Sequence, residues 1–235
     1  PDFLEKHGVA ASFVGHPLAD EIPAGLDAGS ARRRLGLTGE TVVGLLPGSR
    51  HGELARLGPV FAATAARLAT QIPGIEFAAP MATSALREQF QQIIGEHAAA
   101  SRIHLFDGQV RDVLAASDAA LVTSGTATLE TMLVNRPMVV AYRLAPLTYH
   151  LLRWSGLIRV PHIALPNLLA GRRVVPELIQ SDASPQRLGD ELLGLLQNAE
   201  RRAAIEAEFE SLRDVLRCSA SERAADAVLQ QAGLG

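Results

Sequence analysis

The sequence predicts an α/β fold: a doubly wound, Rossmann-like parallel sheet with a helical tail at the carboxyl end. Three observations carry this. Six short apolar runs alternate with segments whose apolar residues recur at mixed three- and four-residue spacing, Gly and Pro punctuate the junctions, and strand-like runs cease after Gly171. Runs of this kind suit strands buried on both faces, and their alternation with amphipathic helices is the pattern of a parallel sheet.

In chain order, strands are predicted at 41–46, 75–79, 103–106, 119–122, 138–142 and 162–165, with helices at 53–71, 84–96, 110–116, 126–134 and 147–155 between them. The residues from Phe13 to Leu18 start as a strand and break at Pro17, and a stretch rich in Gly, Pro, Ala and Asp follows up to Ser30. Beyond Gly171, helices are predicted at 174–180, 185–197, 200–217 and 219–231. The division that follows is an entry segment over 1–30, a Rossmann-like domain over 31–183 and a tail over 184–235.

A chain of 235 residues that is 48% hydrophobic has ample material for a core, and a net charge of -3 argues against a generally basic nucleic-acid binder. Lys6 is the lone lysine, so arginine carries almost all positive charge. Cys218 is the lone cysteine, which excludes an intrachain disulfide and a cysteine-cluster zinc site. The seven histidines show no ligand spacing, so neither metal nor cofactor is expected. Nothing after Pro1 reads as a signal peptide, the chain reads as a piece of a longer protein, and no apolar run is long enough to span a membrane.

In a parallel sheet, ligands sit beyond the carboxyl ends of the strands, so the loops there are the candidates for chemistry. The run Ala119-Ala120-Leu121-Val122 empties into Thr123-Ser124-Gly125-Thr126 before a helical pattern resumes. Such a turn leaves the first N–H groups of the helix pointing outward with the positive dipole end behind them, a seat for phosphate. Ser124 and Thr126 could equally be plain caps. Glu130 follows Thr126 by one helical turn on the same side, placed to accept from sugar hydroxyls or to face solvent. The first strand ends in Pro47-Gly48-Ser49-Arg50, a second anion candidate with a planar guanidinium, although the spacing fits neither a Walker loop nor a dinucleotide fingerprint. No Gly-x-Ser-x-Gly elbow is present around Ser124.

From Thr131 to Pro176 the chain has no acidic residue but has Arg136, Arg143, Arg153, Arg159, Arg172 and Arg173, with Tyr149 and Trp154 among leucines. Within it the segment from Leu147 to Arg173 suits an anionic lipid surface or an anionic, apolar substrate, or else a buried helix with arginines at its rim. Asn167, on Leu165-Pro166-Asn167-Leu168-Leu169-Ala170-Gly171, offers an amide that donates and accepts, to a ligand or to its own turn. Glu177 either assists the site or complements a helix dipole.

Gly15-His16-Pro17-Leu18-Ala19-Asp20, Leu46-Pro47-Gly48-Ser49-Arg50, Ser124-Gly125-Thr126-Ala127-Thr128-Leu129-Glu130 and Leu165 to Gly171 together closely resemble the lipid-A-disaccharide synthase family, over nearly the whole chain. The family is an inverting glycosyltransferase of GT-B type. The resemblance implies transfer of 2,3-diacylglucosamine from its UDP derivative to 2,3-diacylglucosamine 1-phosphate, giving lipid A disaccharide 1-phosphate and UDP. It implies that this chain is the carboxyl-terminal nucleotide-sugar domain with its tail, and that the catalytic base lies in an amino-terminal domain outside it. On the same resemblance Ser124, Gly125 and Thr126 hold phosphates, Glu130 the ribose, Ser49, Arg50 and Asn167 the donor, and the stretch from Phe106 to Val110 the uracil. Association with the cytoplasmic side of a Gram-negative inner membrane also follows from it as an expectation; some members exchange carboxyl-terminal elements between subunits, and the sequence leaves open whether this chain forms such a homodimer. The competing readings are another GT-B enzyme of UDP-sugars, such as an epimerase or another lipid glycosyltransferase, and a membrane-surface module without catalysis.

Overall fold

A computed structural model describes residues 2–97, 99–144 and 162–232. Six strands form one sheet: β1 (Val42–Leu46), β2 (Glu76–Met81), β3 (Ile103–Asp107), β4 (Ala119–Thr123), β5 (Met138–Tyr142) and β6 (Glu177–Ile179). Their order is β3-β2-β1-β4-β5-β6, with every neighbouring pair parallel. All five residues of β1 and of β4 are buried, as central strands covered on both faces require.

The helices are α1 (Asp2–Glu5), α2 (Pro17–Glu21), α3 (Ala28–Leu35), α4 (His51–Gln71), α5 (Ser84–Gly95), α6 (Val110–Ala116), α7 (Thr126–Leu133), α8 (Leu165–Ala170), α9 (Pro185–Gln197), α10 (Ala199–Leu216) and α11 (Ala220–Gln231). Side chains start several of them: Asp27 accepts from Ser30 N at 2.7 Å, Thr83 from Leu86 N at 3.2 Å and Asn198 from Arg201 N at 2.8 Å. Helix α4 packs between α5 and α9, α3 lies on α6, and α6 reaches β1 and β2. Arg32 bonds the carbonyl of Ala116 and, at 2.8 Å, the Asp118 carboxylate, which also accepts from Val42 N. That links α3 to the start of β1.

Five strands fall where the sequence places them. The sixth does not: residues 162–164 are irregular, α8 starts at Leu165, and the edge strand is Glu177–Ile179, inside the predicted 174–180 helix. Pro166 sits in the first turn of α8, where a missing N–H costs nothing, and Gly171 closes the helix at φ 65°. The β-branched pair Val174-Val175 instead leads into β6, and the Pro176 carbonyl accepts from Val140 N. An edge strand tolerates proline at its start. The predicted 147–155 helix lies outside the described residues, as do Arg153, Arg159, Tyr149 and Trp154. The 185–197 helix, assigned to the tail, packs against β4, β5 and α4 and so covers the sheet.

The entry segment is bound to the tail. In place of the predicted strand, His16 Nδ1 accepts from Leu18 N and starts α2, with Pro17 at its first position. His16 N donates to Leu216 O, and Asp20 accepts from Ser219 N and Ala220 N, capping α11. Buried Arg213 of α10 donates to the carbonyls of Ile22 and Pro23. Gly15 makes this closeness possible: at φ 91°, a Cβ would stand 2.7 Å from Leu216 O and 3.1 Å from Cys218 Cβ. Gly15→Ala is therefore expected to lower stability by about 2 kcal/mol or more, from strain plus the lost clasp. Gly8, at φ 77° with nothing near its Cβ position, is the control; Gly8→Ala should lose only about 1 kcal/mol. Urea midpoints of the two variants make the comparison.

Candidate functional site

The chain leaves β1 toward β2 on one side and β4 toward β5 on the other, so β1 and β4 are neighbours whose connections part. That switch point opens a crevice at the carboxyl ends of the strands. A cleft of about 330 Å³ lies there, between the turn after β1 and the turn after β4. The size suits a small molecule.

One wall is the start of α7. Gly125 precedes the helix at φ 145° and ψ -160°, a conformation open to glycine, and no side chain caps the end. Thr128 N donates back to Gly125 O, whereas the N–H groups of Thr126 and Ala127 have no acceptor within the helix. Gly125 and Thr126 are exposed, and nothing lies within 4 Å of where a Gly125 Cβ would be. This is an anion seat of backbone donors. Ser124 lines the cleft too, but its Oγ donates to Ile163 O at 2.8 Å.

The opposite wall is the turn Gly48-Ser49-Arg50 with Glu53. Gly48, at φ 124°, has Glu53 packed where its side chain would be, 2.7 Å away. Glu53 accepts from Ser49 N at 3.1 Å and pairs with Arg50 Nη1 at 2.8 Å. The Arg50 side chain is 81% exposed and reaches the cleft. Glu53 escaped the sequence reading; its opposite charge three residues after Arg50 was the available signal.

Glu130 lines the cleft from α7, half-buried, and burial pushes its carboxyl above the ordinary range while Arg111 opposes the shift. Arg111 Nε lies 3.8 Å from Glu130 Oε1, and its Nη2 donates to Glu21 Oε2 at 3.2 Å. Arg111 was also missed, although it adjoins Val110, which does line the cleft.

Two predicted site residues stand elsewhere. Phe106 is half-buried on β3 in register with Pro80, and Pro80 and Ala82 line the cleft where Phe106 was expected. Asn167 is fully buried and does not line the cleft. Its Oδ1 accepts from Val174 N at 2.7 Å and Val175 N at 2.9 Å, and its Nδ2 donates to Val175 O at 3.0 Å. The amide closes the return from α8 to β6. Glu177 likewise serves the loop: its Oε1 accepts from Ile163 N and Ala164 N. Since Ser124 bonds Ile163 and Leu165 N donates to Thr128 Oγ1, these groups brace the α7 seat from behind.

Of the described arginines in the acid-free segment, Arg136 and Arg143 bond backbone carbonyls and Arg172 pairs with Glu208 at 2.7 Å, while Arg173 is exposed. Among the described residues, no group of three His, Cys, Asp or Glu is placed to hold a metal ion, and no helix is long and apolar enough to cross a membrane.

Residues 1–230 match the family described as lipid-A-disaccharide synthetase. Over 229 residues the chain is 49% identical to a lipid-A-disaccharide synthase of Pseudomonas aeruginosa, covering 97% of this chain and 59% of that protein. The chain thus spans about three-fifths of that relative. Among solved structures, a co-structure of S. aureus MnaA with UDP aligns at TM-score 0.60 and 15% identity, over 100% of this chain and 57% of the other. The carboxyl-terminal domain of a group 1 glycosyl transferase protein (LpcC) from Francisella tularensis aligns at TM-score 0.58 and 13% identity, over 84% and 96% of the two chains. Both structural likenesses concern the fold.

Proposed function

Because the chain belongs to the lipid-A-disaccharide synthetase family, we propose that its cleft is the UDP-sugar site of a hexosyltransferase of lipid A biosynthesis. The donor is UDP-2,3-diacylglucosamine, the acceptor 2,3-diacylglucosamine 1-phosphate, and the products lipid A disaccharide 1-phosphate and UDP. The observation that carries this reading is the uncapped start of α7, with Gly125 turned so that the N–H groups of Thr126 and Ala127 face a cleft at the sheet's switch point.

The leaving diphosphate gathers negative charge as the sugar bond breaks. Backbone donors already aimed at that charge stabilise it without rearrangement, and Arg50 adds its positive charge. Glu130 accepts from the ribose hydroxyls on the far side of the seat, and Val110, Pro80 and Ala82 offer an apolar surface for the base. The group that takes the acceptor's proton belongs, in this reading, to the part of the relatives that the chain does not match, as does the acceptor's own site. We assign residues 31–183 together with the sheet-covering α9 to nucleotide-sugar binding, and the stretch 147–173 to the acylated substrate at the membrane surface.

Calorimetry with UDP tests the reading. Arg50→Ala is expected to weaken binding about tenfold to a hundredfold, the cost of a charge-assisted contact, and Glu130→Gln about tenfold. Affinity should also fall on acidification, because ribose hydroxyls need the ionised Glu130. Burial raises that carboxyl, so the acid limb should lie above the ordinary glutamate range and should vanish in Glu130→Gln. A wild-type chain that does not bind UDP would refute the assignment.

A further inference from the structure

Among the described residues, Arg50, Glu53 and Glu130 are the charged side chains that line the cleft; Arg111 stands behind Glu130 at 3.8 Å, so on the β1 side Arg50 faces Glu53 before any ligand enters. The cation is already engaged. Glu53 holds the Arg50 guanidinium through Oε1 at 2.8 Å, and its Oε2 takes the Ser49 N–H at 3.1 Å. The carboxylate is fixed there from behind, since Gly48 leaves the space in which the Glu53 side chain packs. Hence the α7 side of the seat has open donors, whereas the β1 side is filled by an anion belonging to the chain itself.

We propose that Glu53 competes with the ligand's diphosphate for Arg50: it holds the guanidinium in the empty cleft, gives it up when phosphate arrives, and by its charge limits how tightly the nucleotide is kept. The proposal rests on the UDP-sugar reading of the cleft. Glu53 takes the guanidinium through a single bond from Nη1 to Oε1, since its Oε2 is used on Ser49 N, and a phosphate oxygen can take the place of that one acceptor. The exchange is easy because the Arg50 side chain is 81% exposed and an exposed ion pair is weak. Glu53 cannot retreat far, being packed over Gly48 with its side chain 21% exposed, and so remains beside the bound anion as a like charge. A cleft that stabilises a leaving diphosphate would otherwise retain the product; a neighbouring carboxylate favours its release.

The test is calorimetry of UDP and of inorganic pyrophosphate with the wild-type chain, Glu53→Gln, Arg50→Ala and the double variant. Glutamine keeps an oxygen for the Ser49 N–H and removes the charge. Glu53→Gln is expected to bind both probes about two- to fivefold tighter, and the gain should shrink in the Arg50→Ala background, where the like-charge repulsion is all that Glu53 contributes. Equal or weaker binding by a Glu53→Gln chain with unchanged circular dichroism would overturn the proposal and mark Glu53 as a group that orients Arg50 for binding. If Glu53→Gln does not fold, Glu53→Asp, whose shorter side chain loosens the hold on Arg50, replaces it with the same expected sign. Pyrophosphate binding that responds to Glu53, with no binding of UDP, would sustain the competition and remove the nucleotide reading. UDP binding indifferent to Glu53 would do the reverse, and a wild-type chain that binds neither probe refutes both.

Discussion

Asn167→Ala is expected to lower the stability of the chain by about 3 kcal/mol in the absence of any nucleotide. The amide is fully buried and makes three hydrogen bonds, accepting from Val174 N and Val175 N and donating to Val175 O. Alanine leaves those backbone groups without partners, and an orphaned buried donor or acceptor costs about 1–3 kcal/mol. Val175 itself is buried, so water does not readily replace the amide there. The effect should extend to the cleft. Without the amide, the return from α8 to β6 loosens, and with it Glu177, which holds Ile163 and Ala164, and through Ile163 the Ser124 hydroxyl. UDP affinity is then expected to fall as well, although Asn167 does not touch the cleft. Urea denaturation of the free chain separates this from a direct ligand contact. A direct contact predicts a variant within about 0.5 kcal/mol of wild type that has lost only binding.

Asn167 also marks where sequence reasoning stops. An amide on a Pro-to-Gly loop suits a ligand and a turn equally well, and the choice depends on whether the chain doubles back far enough for Val174 and Val175 to meet it. The two cleft walls were legible because their signal is local: an apolar strand, buried on both faces, gives way at once to Gly48 or to Gly125. Five strands were legible for the same reason. The edge strand β6 was not, because it has three residues and carries the polar Glu177 among apolar neighbours that also fit a helical spacing. Arg111 was invisible as a site residue, since a charged side chain in a first helical turn is ordinary until its partner is known. Glu130 supplies the partner of Arg111 only once α6 and α7 stand together.

Gly125→Ala is expected to remove most nucleotide binding while costing the fold little. Its φ of 145° and ψ of -160° lie where an L-residue is strained by about 1–3 kcal/mol. No atom lies within 4 Å of the Cβ position, so the penalty comes from the backbone and not from a clash. The turn can shed that strain by rotating toward an ordinary extended conformation. Rotation swings the peptide that carries the Thr126 N–H, and with it the donors aimed at the cleft. The new methyl group would project into the space an anion occupies. Stability should therefore fall by about 1–2 kcal/mol, within the strain estimate, while UDP affinity falls at least about tenfold, the cost of one well-placed donor to a charged group. Gly74→Ala is the matched control. Gly74 has φ 71° with nothing near its Cβ position, and it precedes β2 at the amino ends of the strands, away from the cleft at their carboxyl ends. It should lose about 1 kcal/mol of stability and bind UDP as wild type does. Equal UDP affinity in the two variants would mean that the α7 N–H groups do not hold the phosphates, whatever else binds in the cleft.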